Sequence, residues 1–145
     1  HEWVEEAVSG GAQLLCGGEV LSASTYSPTV LFDPPATARV STEEVFGPVV
    51  CIYPYSDRRS AINRANSLDY AFQAAVFTRD LDRALDTVKR LDAAAVMVND
   101  HTAFRADWMP FGGRRSSGYG VGGIGHSMKD MLQEKMTVVK LTPPE

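Results

Sequence analysis

Apolar and polar residues follow a changing period along this chain, and each period predicts an element. Between His1 and Gly11, Trp3, Val4, Ala7 and Val8 fall on one helical face, and Gly10-Gly11 supplies a stop. Ala12 to Cys16 reads as a strand, Gly17 to Ser27 as a loop of small polar residues, and Thr29 to Phe32 as a short strand closed by Asp33-Pro34-Pro35. Ala36 to Glu44 then leads into an acidic stretch. From Val49 the rhythm is regular: Val49 to Tyr53 is a buried strand, Asp57 caps a helix carrying Ala61, Ile62 and Ala65, and Phe72 to Phe77 is strand-like. Asp80 caps the clearest helix, with Leu81, Ala84, Leu85, Val88 and Leu91 three and four apart, and Ala94 to Val98 follows as a strand. Strands alternating with helices over short links imply parallel pairing through right-handed crossovers. The expected fold class is α/β, with helices packed on a parallel sheet.

Beyond Val98 the period is lost for about twenty residues, a length that inside a compact domain is more often functional than accidental. This loop leaves the C-terminal end of a parallel strand, the edge where open α/β sheets bind ligands. It is chemically dense, with Asn99, Asp100, His101, Arg105, Asp107 and Trp108 before the turn at Phe111-Gly112-Gly113. Ser127 to Gln133 then carries Met128, Met131 and Leu132 at helical spacing, and Thr137 to Leu141 reads as a last strand before Pro143-Pro144. No internal repeat or low-complexity segment interrupts the pattern.

Composition narrows the function classes. The 145 residues are 44% hydrophobic, enough to bury one core. Fourteen basic against eighteen acidic residues, a net charge of -4, leave no electrostatic footprint for nucleic acid. No apolar run is long enough to span a membrane. The chain opens at His1 with no methionine, basic n-region or apolar h-region, and reads as a piece cut from something longer. Cys16 and Cys51 are too few for a disulfide framework and lie at no metal spacing to His1, His101 or His126, so a reducing, intracellular setting is the simplest inference. Neither cysteine has the cationic neighbours that activate a thiol, and both read as small hydrophobes. No residue is therefore assigned as catalytic, and no metal is expected.

Several signals are discounted. Gly118-Tyr119-Gly120-Val121-Gly122-Gly123 matches a dinucleotide fingerprint, but no strand precedes it and Glu134 lies in the following helix, so it reads as a turn. Asp130 and Glu134, four apart, read as a solvated helix face. Arg114-Arg115 is an anion site or a solvated turn, the turn being favoured.

The stretch Glu43-Glu44-Val45-Phe46-Gly47-Pro48 carries more. Pro48 lacks an amide proton and biases Gly47 away from the helical region, so the acids sit on a turn held by the strand that follows. A carboxylate on such a rim can accept two hydrogen bonds from a vicinal diol, as in dinucleotide sites, and a phenyl face can pack on a flat ring. The plainer alternative is two solvated glutamates and a core phenylalanine. In an extended segment Glu44 and Phe46 share one side and Glu43 faces the other.

Glu43 to Val49 resembles the EE[IV]FGPV signature of the NAD(P)-dependent aldehyde dehydrogenase superfamily. Pro110-Phe111-Gly112-Gly113 with Ser117-Gly118 resembles its later PFGGxxxSG signature. Between them, Val76 to Asp80 resembles its VFTxD junction, and Val96 to Asn99 its strand ending in asparagine. The likeness runs from about Glu2 to Leu141 and covers the C-terminal part of a family subunit. It implies that residues 1–135 belong to the catalytic domain, and that residues 136–145 form an oligomerisation strand and tail serving a homo-oligomer, a dimer or tetramer. It implies NAD or NADP as cofactor, an aldehyde as substrate and a cytoplasmic setting. Glu44 would bind the nicotinamide ribose, Phe46 would flank the nicotinamide, and Phe111 and Arg105 would stand in the substrate loop. In the family a cysteine thiolate attacks the aldehyde and a glutamate activates water for thioester hydrolysis. Both precede the region seen here, so the chain by itself is expected to be inactive.

Departures from the pattern are Tyr70-Ala71-Phe72 in place of YGL, and Gly120-Val121-Gly122 in place of GRE. Phe104-Arg105 before Asp107-Trp108-Met109-Pro110 resembles a subgroup acting on small polar or anionic aldehydes such as lactaldehyde or phosphonoacetaldehyde. Two other readings stay open, a non-catalytic assembly module and a nucleotide-binding module without chemistry.

Overall fold

The structure, a computed structural model, describes residues 1–141. The chain divides into two compact units, residues 1–61 and residues 62 onward.

In the first unit, α1 (Glu2–Ser9) buries Val4 and Ala7, one turn apart, and ends at Gly10. Three strands, β1 (Gln13–Cys16), β4 (Thr29–Phe32) and β5 (Val49–Ile52), form a sheet in the order β1-β4-β5. Strand β4 is central, antiparallel to β1 and parallel to β5, with Leu31 opposite Leu14 on one side and Cys51 on the other. Its alternation sends Thr29 and Leu31 into the interior, where Leu31 joins Val4, Ala7, Ala12, Ala38 and Val40 in one core. The buried Thr29 hydroxyl accepts from the Gly18 amide at 2.8 Å and donates to the Ser27 carbonyl at 2.8 Å, so no polar group is stranded. Gly17 (φ +76°) makes this approach possible, since a Cβ there would stand 2.1 Å from the Pro28 carbonyl oxygen. A short helix, α2 (Arg39–Thr42), is tied to α1 by Glu6, whose carboxylate accepts from the Arg39 amide at 3.0 Å and its Nε at 2.5 Å. These bonds, the backbone one first, hold the Glu6 carboxyl below its ordinary value.

One sequence expectation fails here. Residues 17–27 are not a plain loop but contain a hairpin, β2 (Val20–Ser22) antiparallel to β3 (Thr25–Tyr26). Its two-residue turn, Ala23-Ser24, lacks the Asn-Gly or Asp-Gly signal that marks tight hairpins in sequence.

The boundary between units falls within α3 (Arg58–Asn66). Asp57 caps this helix, accepting from the Ser60 amide at 2.8 Å and its hydroxyl at 2.7 Å. In the second unit β7 (Gln73–Val76) and β8 (Ala95–Val98) pair in parallel, joined by α4 (Leu81–Arg90). Asp80 caps α4 by accepting from the Arg83 amide at 3.0 Å. Between α3 and β7 lies β6 (Tyr70–Ala71), antiparallel to β9 (Arg114–Arg115). The expected Phe72–Phe77 strand is thus one residue shorter at each end, although the Phe72 carbonyl still accepts from Ala94 and Ala95. The alternation is α/β, as expected, but the single parallel sheet is not. Its strands fall into separate sheets, and the larger is mixed.

Helix α4 also buries a narrower stripe than its periodicity predicts. Ala84 and Thr87 are buried, whereas Leu81 and Leu85 are 69% and 58% exposed. Helix α5 (Ile124–Asp130) starts and ends three residues before the predicted span and buries none of its residues. Thr137 to Leu141 forms no ladder within the described residues and is exposed. The rest of the predicted C-terminal tail, residues 142–145, lies outside the described residues.

Candidate functional site

The acidic stretch of the first unit follows directly from the end of α2, whose last turn is closed by the Glu43 amide donating to the Arg39 carbonyl at 2.8 Å. The chain then folds tightly, Gly47 donating to Val45 and Val49 to Gly47, and Pro48 is pinned to β4 by the Thr29 amide at 2.9 Å. Val45 packs on the core and holds the strip down. Phe46 is 97% exposed, so the sequence alternative of a core phenylalanine is excluded.

Glu44, Val45 and Phe46 line one open groove of about 990 Å3 with Trp3, Val20 and Tyr26, and Glu43 is not among its lining residues. Glu44 is exposed and its carboxylate has no hydrogen-bond or ion-pair partner among the described residues. Both oxygens are thus open to a ligand's donors, and the ring of Phe46 offers a face beside them. A carboxylate and an aromatic face in one groove suit a cis-diol carrying a flat ring.

Another part of the groove's lining is one the sequence did not reveal. Tyr26 comes from the unpredicted hairpin, and its hydroxyl lies 3.1 Å from His1 Nδ1. His1 Nε2 is 3.2 Å from Glu5. Burial, followed by the Glu5 charge, raises the Tyr26 phenol above its ordinary value.

The second candidate lies in the second unit, on the long loop after β8. Asn99 adopts φ +57° and turns its amide back on Thr78, accepting from the Thr78 amide at 2.8 Å and donating to its carbonyl at 2.9 Å. Its role is to weld the ends of β7 and β8. The loop then brings together the two residues read as pocket residues: the guanidinium carbon of Arg105 lies 4.2 Å from the centroid of the Phe111 ring. Phe72 meets the same ring edge-on, 5.1 Å between centroids at 85°. Among the described residues Arg105 has no carboxylate partner, neighbouring Asp107 included.

The platform rests on close backbone contacts. Phe111 exchanges hydrogen bonds with Gly122 at 3.0 and 2.6 Å. A Cβ on Gly113 would stand 2.4 Å from Ser117 backbone atoms, while the Ser117 hydroxyl accepts from the Ala71 amide at 2.9 Å. Only glycine fits where the two turns touch. An open depression of about 350 Å3 is lined by Met97, Val98, Asp100, Phe104 and Met109 with neighbouring residues of β8.

The remaining candidates are structural. Cys51 packs against the core, its Sγ 3.8 Å from the Val40 carbonyl, and burial raises its thiol. Cys16 ends β1, exposed. The Gly118–Gly123 run contains bends and a bridge, and Gly123 caps α5. Arg114 and Arg115 are exposed, as a solvated turn would have them, but both are already paired with Asp92, and these bonds, that of Arg115 first, lower its carboxyl.

Comparison with known proteins gives one answer. Residues 1–137 match the model of the aldehyde dehydrogenase family. The 3-sulfolactaldehyde dehydrogenase of Priestia aryabhattai is 37% identical over 141 residues, covering 97% of this chain and 29% of that protein. The crystal structure of NADP-dependent glyceraldehyde-3-phosphate dehydrogenase from Bacillus halodurans C-125, complexed with NADP, aligns with a TM-score of 0.91 at 39% identity, over 97% of this chain and 29% of that one. Mycobacterium tuberculosis aldehyde dehydrogenase complexed with NAD+ aligns with a TM-score of 0.83 at 27% identity, over 92% of this chain and 28% of that one. The chain spans less than a third of the length of each.

Proposed function

The chain belongs to the aldehyde dehydrogenase family, and on that premise we propose that, in the whole protein, it carries an NAD(P) contact surface and part of the aldehyde pocket of an enzyme that oxidises an aldehyde to a carboxylic acid. The observation that carries this reading is the groove in which the unpaired Glu44 carboxylate and the exposed Phe46 ring stand together. Glu44 accepts hydrogen bonds from the two ribose hydroxyls, and Phe46 packs beside the nicotinamide and keeps water from it. Bound there, NAD or NADP supplies the acceptor for the hydride that leaves the substrate. This chain's residues orient the cofactor; they do not break bonds.

Neither cysteine is the nucleophile. Cys51 is a strand residue whose half-buried thiol is pushed up by burial, the wrong direction for a thiolate. Cys16, at the end of β1, has no cation among its partners within the described residues. Nucleophile and general base are assigned to the rest of the protein. In the pocket, Arg105 holds the anionic end of a small aldehyde through two parallel hydrogen bonds, with Phe111 behind the guanidinium. Relatives named for 3-sulfolactaldehyde and glyceraldehyde 3-phosphate support an anionic substrate. The exposed Thr137–Leu141 segment pairs with another segment or with a second copy in a homo-oligomer.

The test is NAD(P) titration of the whole enzyme. Glu44→Gln weakens binding by about 1.5 to 3 kcal/mol, roughly 10-fold to 150-fold, the range for hydrogen bonds to a charged group. Glu43→Gln, with the same chemistry outside the groove, changes little. Damage from Glu43→Gln alone, or silence from both, rejects the reading.

A further inference from the structure

Outside the groove, the densest charge cluster stands where β9 meets the segment between α4 and β8. We propose that Asp92 is a positioning residue for the aldehyde pocket, holding Phe72, Phe111 and Arg105 in register by clamping Arg114 and Arg115 together. The proposal rests on the reading of Arg105 and Phe111 as pocket residues.

The cluster is closed on itself. Asp92 Oδ1 accepts from Arg114 Nη1 at 2.5 Å, and Oδ2 accepts from Arg115 Nη2. Arg115 Nη1 donates to the carbonyls of Asn66, at 2.8 Å, and Leu68. Asn66 in turn donates to the Arg90 carbonyl at 2.8 Å and accepts from the Asp92 amide at 2.9 Å. The ends of α3 and α4 are thereby tied to β9. One carboxylate serves two adjacent guanidiniums, which without it would repel each other. Arg115 also sits at φ +54°, a conformation that a side-chain-bearing residue keeps only where its surroundings over-determine it. Its three acceptors do that.

What the clamp sets is the pairing of Tyr70 with Arg115 and Ala71 with Arg114. Phe72 directly follows the end of β6, and Phe111 lies three residues before Arg114. A one-residue slip of β9 would move Phe111 about 3.3 Å along Phe72, enough to dismantle an edge-on contact. The Ser117 hydroxyl and the Ser116 amide reinforce the same register from Ala71 and Asp69. Exposed ion pairs of this kind add little to global stability. Their loss should therefore be read in substrate binding before it is read in unfolding.

The experiment is steady-state kinetics of the whole enzyme, with glyceraldehyde 3-phosphate as anionic probe and propanal as neutral probe. Asp92→Asn raises KM for glyceraldehyde 3-phosphate about tenfold, leaves kcat and NAD(P) Kd within about twofold, and Asp92→Glu recovers most of the loss, as expected for a displaced positioning group. An unchanged KM overturns the proposal, as do parallel losses in KM, kcat, cofactor Kd and thermal midpoint, which would mark general damage. If Asp92→Asn does not fold, Arg114→Gln, which keeps the Arg115 pair, is read by the same criteria. Arg105→Ala separates the two failures. If it raises KM while Asp92→Asn does not, the pocket stands and the clamp falls; if it is silent with both probes, the pocket reading falls and takes the clamp with it.

Discussion

At the residue scale, two side chains are set by what they alone can satisfy. Thr29 is fully enclosed in β4, and its hydroxyl is the only partner the Gly18 amide has among the described residues. Thr29→Val keeps the shape and removes that acceptor, so it should lower unfolding free energy by about 1 to 3 kcal/mol, the cost of an unmade buried hydrogen bond. Thr29→Ser, which keeps the oxygen, should lose clearly less. Denaturant unfolding of the whole protein measures both. Arg105 is the opposite case, a cation with an aromatic support and, among the described residues, no anion partner. Arg105→Ala should raise KM for anionic aldehydes about tenfold or more, the value of a charged hydrogen bond, and change KM for neutral ones much less. Equal effects on both classes would return Arg105 to a packing role.

At the element scale, the helices of the β-α-β alternation are set by their caps. Asp80 accepts at the first turn of α4 through Arg83, and Asp80→Ala should cost about 1 kcal/mol in thermal or chemical unfolding. Asp57 does the same for α3, and its bonds to Ser60, side chain first, hold the carboxyl below its ordinary value of 3.8. A depressed carboxyl contributes stability that is present above the unfolded value and lost as pH falls through the folded one. Acidification below 3.8 should therefore destabilise the wild type more steeply than Asp57→Asn, which has no proton to take up there. Superimposable acid limbs of thermal midpoint against pH would remove Asp57 from the explanation. Apolar period alone misjudges α4, because Leu81 and Leu85 keep helical spacing yet stay in water.

At the scale of the whole molecule, many large apolar side chains stay exposed among the described residues. Val50 on β5, Phe77 after β7, and Val138 and Val139 near the C-terminal end are all exposed. In the whole protein such surface is expected to be covered, by other segments or a second copy. Removing residues 136–145 from the whole enzyme should reduce its oligomeric mass, read by sedimentation or light scattering. An unchanged mass would take the C-terminal segment out of the assembly. The 145-residue chain alone should form no NADH from any aldehyde. Turnover abolished by Cys16→Ala or Cys51→Ala would overturn the assignment of the nucleophile elsewhere.

Local chemistry carried much of this protein in its sequence. Strand β4 at Thr29–Phe32, the Asp57 and Asp80 caps, and the turn at Gly47-Pro48 depend on residues within four positions of one another, so their signals are intact in one dimension. The carboxylate and ring of Glu44 and Phe46 were legible for the same reason. What tertiary structure decided are the contacts between distant residues. The hairpin that raises Tyr26 into the groove has no turn signal, and the division into separate sheets depends on which edges pair. Arg115 reaches the Asn66 carbonyl across 49 positions, and Ser117 reaches Ala71 across 46. A periodic pattern records which side of an element is apolar; it does not record which partner covers it, and packing over such separations makes that choice.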